Sequence, residues 1–284
     1  MEDGEPDLHI WTGDEDIPEI VPAEIPAFAM AGSSPMPPSV VRSRSKGMKT
    51  SKLGTPGWKL VQADLAVVRG NLPAEDLKSA AVYSQELYVM LRSFIGGPDF
   101  SGLFSSRFFS EMRDYVNYAQ RAGASTAESF YDPRSSEIVS WYRRFPTPAL
   151  FQRAFAHEFT HAYVDRVWNR TSPLWFMEGL AEWFSNIHWR ANIFVPGQMN
   201  NAALFILAGD MNDNKLSIER LISATRDDFY GYQFTSYYAQ AWTLVDFIMT
   251  RMPGGTVQDM LAGDYPNLPS LQQEWEAHVR MMLS

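Results

Sequence analysis

The sequence predicts an α+β fold. A small mixed, mostly antiparallel sheet in the N-terminal half packs on the helix that carries the candidate site, and the C-terminal half is mainly α-helical. Three observations predict it. Short runs rich in β-branched and aromatic residues recur between residues 58 and 142, punctuated by Gly, Pro, Asn and Asp. From Pro148 onward, apolar residues recur at helical spacing almost to the end of the chain. Phe151, Phe155 and Phe159, each four residues from the next, form one apolar stripe for a core.

The 284 residues allow one large domain or two small ones. The chain has no cysteine, so a metal site must be built from His and carboxylate. A net charge of −9 argues against nucleic acid as a partner. No uninterrupted apolar run approaches the ~18 residues of a transmembrane segment. The first 28 residues hold nine acids and no Lys or Arg, the reverse of a signal peptide's basic start. The expected location is cytoplasmic unless a signal has been removed, in which case it is exported or periplasmic.

Residues 1–56 read as a disordered leader. They carry eight of the 18 prolines, the nine acids, and then five bases between Arg42 and Lys52. Such a segment buries too little apolar surface to offset its ordering entropy. A sharper reading makes it a docking or inhibitory segment anchored by Ile10, Trp11 and the Ile17–Ile25 stretch.

The ordered domain is expected over 57–284. Trp58–Val61 and Leu65–Val68 read as strands. Pro73 opens a helix that runs to about Ile95 and ends at Gly96-Gly97-Pro98. Leu103–Phe109 is a strand, and Glu111–Arg121 is a short helix stopped at Gly123. Ser129–Pro133 leads into a turn, and Glu137–Tyr142 is the returning strand. Helices are expected on one side of this sheet. The next helix runs from about Pro148 to Trp168. Ser172 is a good N-cap for the one after it, with Pro173 at its first position. Ile193–Asn201 reads as a loop, Ser236 to about Met252 as a helix, and Asn201–Gly209, Ser217–Thr225 and Leu268–Leu283 as scaffold helices.

His157-Glu158-Phe159-Thr160-His161 is an H-E-x-x-H run. Residues four apart on a helix share a face, so His157 and His161 can offer two imidazoles to one Zn²⁺. Glu158, one step round, can take a proton from a metal-bound water. The plainer reading is two ordinary histidines on a helix. Val164 and Val167 stand where a metzincin pattern needs Gly and His, so that pattern fails. Glu178 and Glu182 lie four apart amid Trp175, Phe176, Leu180, Trp183 and Phe184. Carboxylates on so apolar a helix need a partner. Sixteen residues separate His161 from Glu178, enough for a second helix to return past the metal and complete a His₂Glu set. Glu182 can accept the other N–H of a ligating His.

His157–His161 followed by Glu178-Gly179-Leu180-Ala181-Glu182 resembles the gluzincin clan of zinc metallopeptidases, which includes thermolysin and the M1-type aminopeptidases. With Phe130-Tyr131-Asp132-Pro133 upstream and Pro173-Leu174-Trp175 before the glutamates, it is most similar to a bacterial branch of largely uncharacterised peptidase-like proteins. The resemblance covers roughly 57–284. It implies a zincin-like fold whose sheet edge can bind an extended peptide or protein substrate. It also implies one Zn²⁺ held by His157, His161 and Glu178, with Glu158 as general base and Glu182 supporting a ligand. In the aminopeptidase branch a catalytic Tyr stands three residues before a small residue at the start of a helix, which points to Tyr238, before Ala241. Tyr237 is the runner-up, and both tyrosines could instead simply pack. His188 is a further, weaker donor candidate, while His9 and His278 have no motif support. No G-x-M-E-N run is present, which favours an endopeptidase. The competing expectation is a catalytically silent, metal-stabilised binding or scaffold domain, which would have no use for the base Glu158.

Overall fold

The computed structural model describes residues 48–284 apart from 53–54, 125–127, 146, 170–171, 187, 191–192, 196, 214 and 253–255. Most of the leader, with His9 and the Ile10 to Ile25 anchors, lies outside the described residues. One strand, β1 (Lys49–Lys52), falls inside the stretch read from sequence as leader, and all four of its residues are exposed.

The fold is α+β. Six strands form one mixed sheet in the order β1-β2-β3-β4-β6-β5. β2 (Lys59–Gln62) pairs antiparallel with β1 and with β3 (Ala66–Gly70). The 22-residue helix α1 (Ala74–Ile95) then crosses over, so β4 (Phe104–Phe109) lies parallel to β3. Helix α2 (Met112–Ala122) makes a second crossover, and β6 (Glu137–Trp141) lies parallel to β4. β5 (Ser129–Asp132) is an edge strand, antiparallel to β6 and joined to it by a tight turn with Ser136 at φ 51°.

Side chains alternate across these strands and give the sheet two buried faces. Val68, Phe104, Phe108 and Ile138 join the main core with α1 and α3 (Pro148–Tyr163). Phe109, Phe130 and Val139 form a smaller core with Tyr115 and Ala119 of α2. Helices therefore cover both faces, not one. The reason is in the sequence: β4 ends on two adjacent phenylalanines, Phe108 and Phe109, which must point to opposite sides.

Helix α3 starts because Thr147 accepts a hydrogen bond from the Leu150 backbone N–H and Pro148 has no N–H to leave unpaired. Its phenylalanine stripe lies along β4. Phe159 meets Phe104 with ring centroids 4.7 Å apart, and Phe151 and Phe155 meet Phe108 at 5.3 and 5.6 Å. A single π-helical turn, Val164–Trp168, follows, and left-handed Asn169 (φ 49°) ends it.

Helix α4 (Leu174–Ser185) has Pro173 at its N-cap rather than at its first helical position, and no side chain caps it, so Ser172 is not the N-cap that its position suggests. The hairpin β7 (His188–Arg190) and β8 (Ile193–Val195) replaces the expected loop. The remaining helices are α5 (Asn201–Asn212), α6 (Ile218–Ser223), α7 (Arg226–Phe229), α8 (Phe234–Arg251), α9 (Thr256–Ala262) and α10 (Gln272–Leu283). No described helix is long and apolar enough to cross a membrane.

Helices α4 and α8 cross closely because of Gly179. A Cβ there would lie 2.4 Å from the Ala241 carbonyl oxygen and 2.8 Å from a Val245 methyl. The glycine beside Glu178 thus sets how near α8, with its tyrosines, comes to α4.

Candidate metal centre

Helix α3 supplies two imidazoles one turn apart. Their Nε2 atoms face each other at 3.2 Å. Helix α4 brings Glu178, 5% exposed, beneath them. Its Oε2 lies 3.3 Å from His157 Nε2 and 3.5 Å from His161 Nε2. One ligand atom from each of the three residues falls within 4.8 Å of the others. The other carboxylate oxygen, Oε1, accepts a 2.6 Å hydrogen bond from the Tyr230 hydroxyl. Oε2 is buried without a hydrogen-bond partner, since neither imidazole contact has hydrogen-bond geometry. A buried carboxylate oxygen between two imidazole nitrogens needs positive charge beside it, supplied either by a protonated imidazole or by a metal ion held by all three residues. The donor set, two nitrogens and one oxygen on a cysteine-free chain, fits a divalent metal such as zinc.

Glu182, one turn after Glu178, places Oε1 3.1 Å from His157 Nδ1, and its Oε2 accepts from Arg153 Nη2 at 3.3 Å. This leaves Nε2 of His157 for the metal position and fixes the ring's tilt. Glu158 is turned toward the sheet edge, where its Oε2 accepts the Tyr131 backbone N–H of β5 at 2.9 Å. The Tyr131 hydroxyl donates to Asp165 Oδ2 at 2.5 Å, tying the edge strand to the turn after α3.

The electrostatics follow from this packing. Burial favours neutral His157, but the Glu178 and Glu182 carboxylates outweigh it and hold the imidazolium well above its usual range. Burial opposes ionisation of Glu178 too, yet the His161 and His157 rings pull it well below the usual carboxylate range. Glu182 is lowered against burial by His157 and Arg153. Glu158 goes the other way: burial raises its carboxyl, and the two imidazoles and the Tyr131 N–H only partly offset this.

Among protein-family models and curated proteins, none matches this chain.

Of the residues singled out from sequence, the structure brings together His157, His161, Glu158, Glu178, Glu182 and Tyr238. The Tyr238 ring stacks on His157 at 6.4 Å and 24°. Burial and the nearby Glu178 charge push its phenol well above the usual range, so it stays protonated and able to donate. Tyr237 points elsewhere. Its hydroxyl accepts from Arg220 Nε at 3.2 Å, and its ring stacks on Phe229. His188 lies in β7, beyond the end of α4, and its side chain is outside the described residues. His278 is buried in α10 with Nε2 2.8 Å from Asp246 Oδ2, as a core partner.

Three contributors were not found from sequence. Arg153 stands four residues before His157 on the same face, a spacing that could have signalled it. Tyr131 lies in the flagged Phe-Tyr-Asp-Pro run, but it acts on Glu158 through its backbone. Tyr230 follows the four-residue helix α7, and only tertiary packing aims it at Glu178.

Proposed function

We propose that this protein is a zinc-dependent metallopeptidase with a zincin-like fold of the gluzincin type, an endopeptidase that uses Glu158 as its general base. One observation carries the reading: a His157–His161–Glu178 triad able to hold a metal, beside a fourth group, the Glu158 carboxylate, that is held from the other side by a sheet edge. A purely structural site needs the triad but has no use for that fourth group.

When bound, zinc supplies a Lewis acid and a water whose pKa falls toward about 7. The chain's residues do the rest. Glu158 Oε1, the oxygen not held by Tyr131, accepts a proton, and its raised affinity brings it nearer to neutral operating pH. The protonated Tyr238 phenol donates a hydrogen bond to a developing oxyanion. Glu182 and Arg153 hold the His157 tautomer, and Tyr230 holds Glu178. β5 lies at the sheet's edge beside α3, where an extended peptide can add as a further strand.

Metal analysis of the purified protein, run beside a broad peptide-library digest, tests this. One zinc per chain with cleavage is expected, and Glu158→Gln should keep the zinc and lose about 10²–10⁴-fold in kcat. Full turnover in that variant removes the proposed base. One zinc without cleavage of any peptide favours the silent binding domain, and no zinc defeats both readings.

A further inference from the structure

We propose that the α2 face of the sheet, opposite the metal centre, holds a second binding site, for a small organic acid. A cleft of about 670 Å³ opens there between α2, strands β3 and β4, and the segment that leads into β2. Trp58, Arg69, Arg107, Phe109, Tyr118 and Arg121 line it. That volume is ordinary for a small-molecule site.

Behind the lining arginines lies one buried carboxylate, Glu137, 3% exposed. Arg107 grips it with two N–H groups, Nε to Oε2 at 2.7 Å and Nη2 to Oε1 at 3.4 Å. Arg69 Nε lies 3.4 Å from the same Oε1 and has no hydrogen-bond partner. The Tyr118 hydroxyl donates to Oε2 at 3.1 Å. The Arg107 guanidinium also stands over the Trp58 ring at 5.6 Å and the Tyr118 ring at 5.0 Å. One carboxylate therefore fixes two guanidiniums and neutralises only one.

Among the described residues, the Nη1 groups of Arg69 and Arg107 have no protein acceptor, and Arg121 at the rim has no ion-pair partner. The acid in the lining, Asp114, pairs with Arg113 outside it. The result is a positive, partly aromatic hollow on a chain of net charge −9. Pre-oriented guanidinium forks match an oxyanion bidentately. Trp58 and Phe109 offer an apolar wall for the body that carries it. A carboxylate and a phosphate monoester share this chemistry, and the probes below separate them.

Isothermal titration of the 284-residue chain with phenylacetate, phenyl phosphate, inorganic phosphate and neutral benzyl alcohol tests the site. One of the two ring-bearing anions should bind with Kd of about 1 mM or tighter, and at least tenfold tighter than inorganic phosphate or benzyl alcohol. The tighter of the two names the natural oxyanion. Arg121→Gln, on the exposed rim, should weaken it about tenfold, as should Arg69→Gln, with part restored by Arg69→Lys. Thermal melts report whether each variant is folded. An anion held at the metal centre is indifferent to Arg121→Gln, so unchanged binding in that variant overturns the proposal. Failure of both ring-bearing anions to bind overturns it equally.

Discussion

Tyr238 and Glu178 show how single side chains at this cluster are held in one protonation state by their surroundings. Tyr238 is kept protonated by burial and by neighbouring negative charge. Tyr238→Phe should lower kcat by about 10²–10³-fold, the usual cost of one oxyanion donor, with little change in KM. Equal losses in kcat and in zinc content would instead make it a packing residue. The ionised groups set a pH dependence. In the metal-free protein, the lowered carboxyls of Glu178 and Glu182 contribute stability above their ordinary value of 4.5 and lose it as pH falls through their folded values. Raised His157 contributes fully below 6.5 and loses its share as pH rises through its folded value. The cluster thus helps the metal-free protein most between about pH 4.5 and 6.5. Zinc binds imidazole only without its proton. The gain in melting temperature on adding zinc should therefore widen from pH 6 to pH 8, and a gain that narrows over that range contradicts the assignment.

At the scale of elements, the centre depends on how closely α4 and α8 cross. The Gly179 contact with Ala241 leaves no space for a methyl group, and the neighbour it would strike is backbone. Gly179→Ala should force the helices apart, destabilise the fold by about 1–3 kcal/mol and separate Tyr238 from the imidazoles. A melt and a zinc titration check this: an unchanged Tm would show that the crossing can relax. Much of this level was legible in the sequence. Helix α1, strand β4 and helix α2 fall within a residue or two of where periodicity and the glycine and proline stops put them. The π-helical turn after α3 and the hairpin β7–β8 were not legible. Neither has a local signature: the apolar run after His161 suits a longer α-helix equally well, and three-residue strands carry almost no periodicity.

Across the whole molecule, one main core joins the inner sheet face to the helical half, with α3 between them. The C-terminal helix is tied in through Asp246, whose Oδ1 accepts the Trp183 indole N–H of α4 at 2.8 Å and whose Oδ2 meets His278 of α10 at 2.8 Å. Asp246→Ala leaves an indole N–H and an imidazole buried without that partner. It should cost about 3 kcal/mol or more in a denaturant melt and, because Trp183 shares α4 with Glu178, weaken zinc binding. Loss of stability with zinc affinity untouched would show that α10 is only a lid on the core.

The sequence alone determined that His157 shares a helix face with His161, and Glu178 with Glu182, because helical spacing is local: four residues apart is one face wherever the helix lies. It also determined the sheet-then-helix order, because strand and helix periodicities differ. The tertiary structure decided which tyrosine faces the imidazoles, that Tyr230 and Arg153 brace the carboxylates, that β5 reaches Glu158, and that arginines gather on the far face of the sheet. Those relations join residues distant in the chain, and their geometry is set by helix crossings and strand register, which no short window of sequence contains.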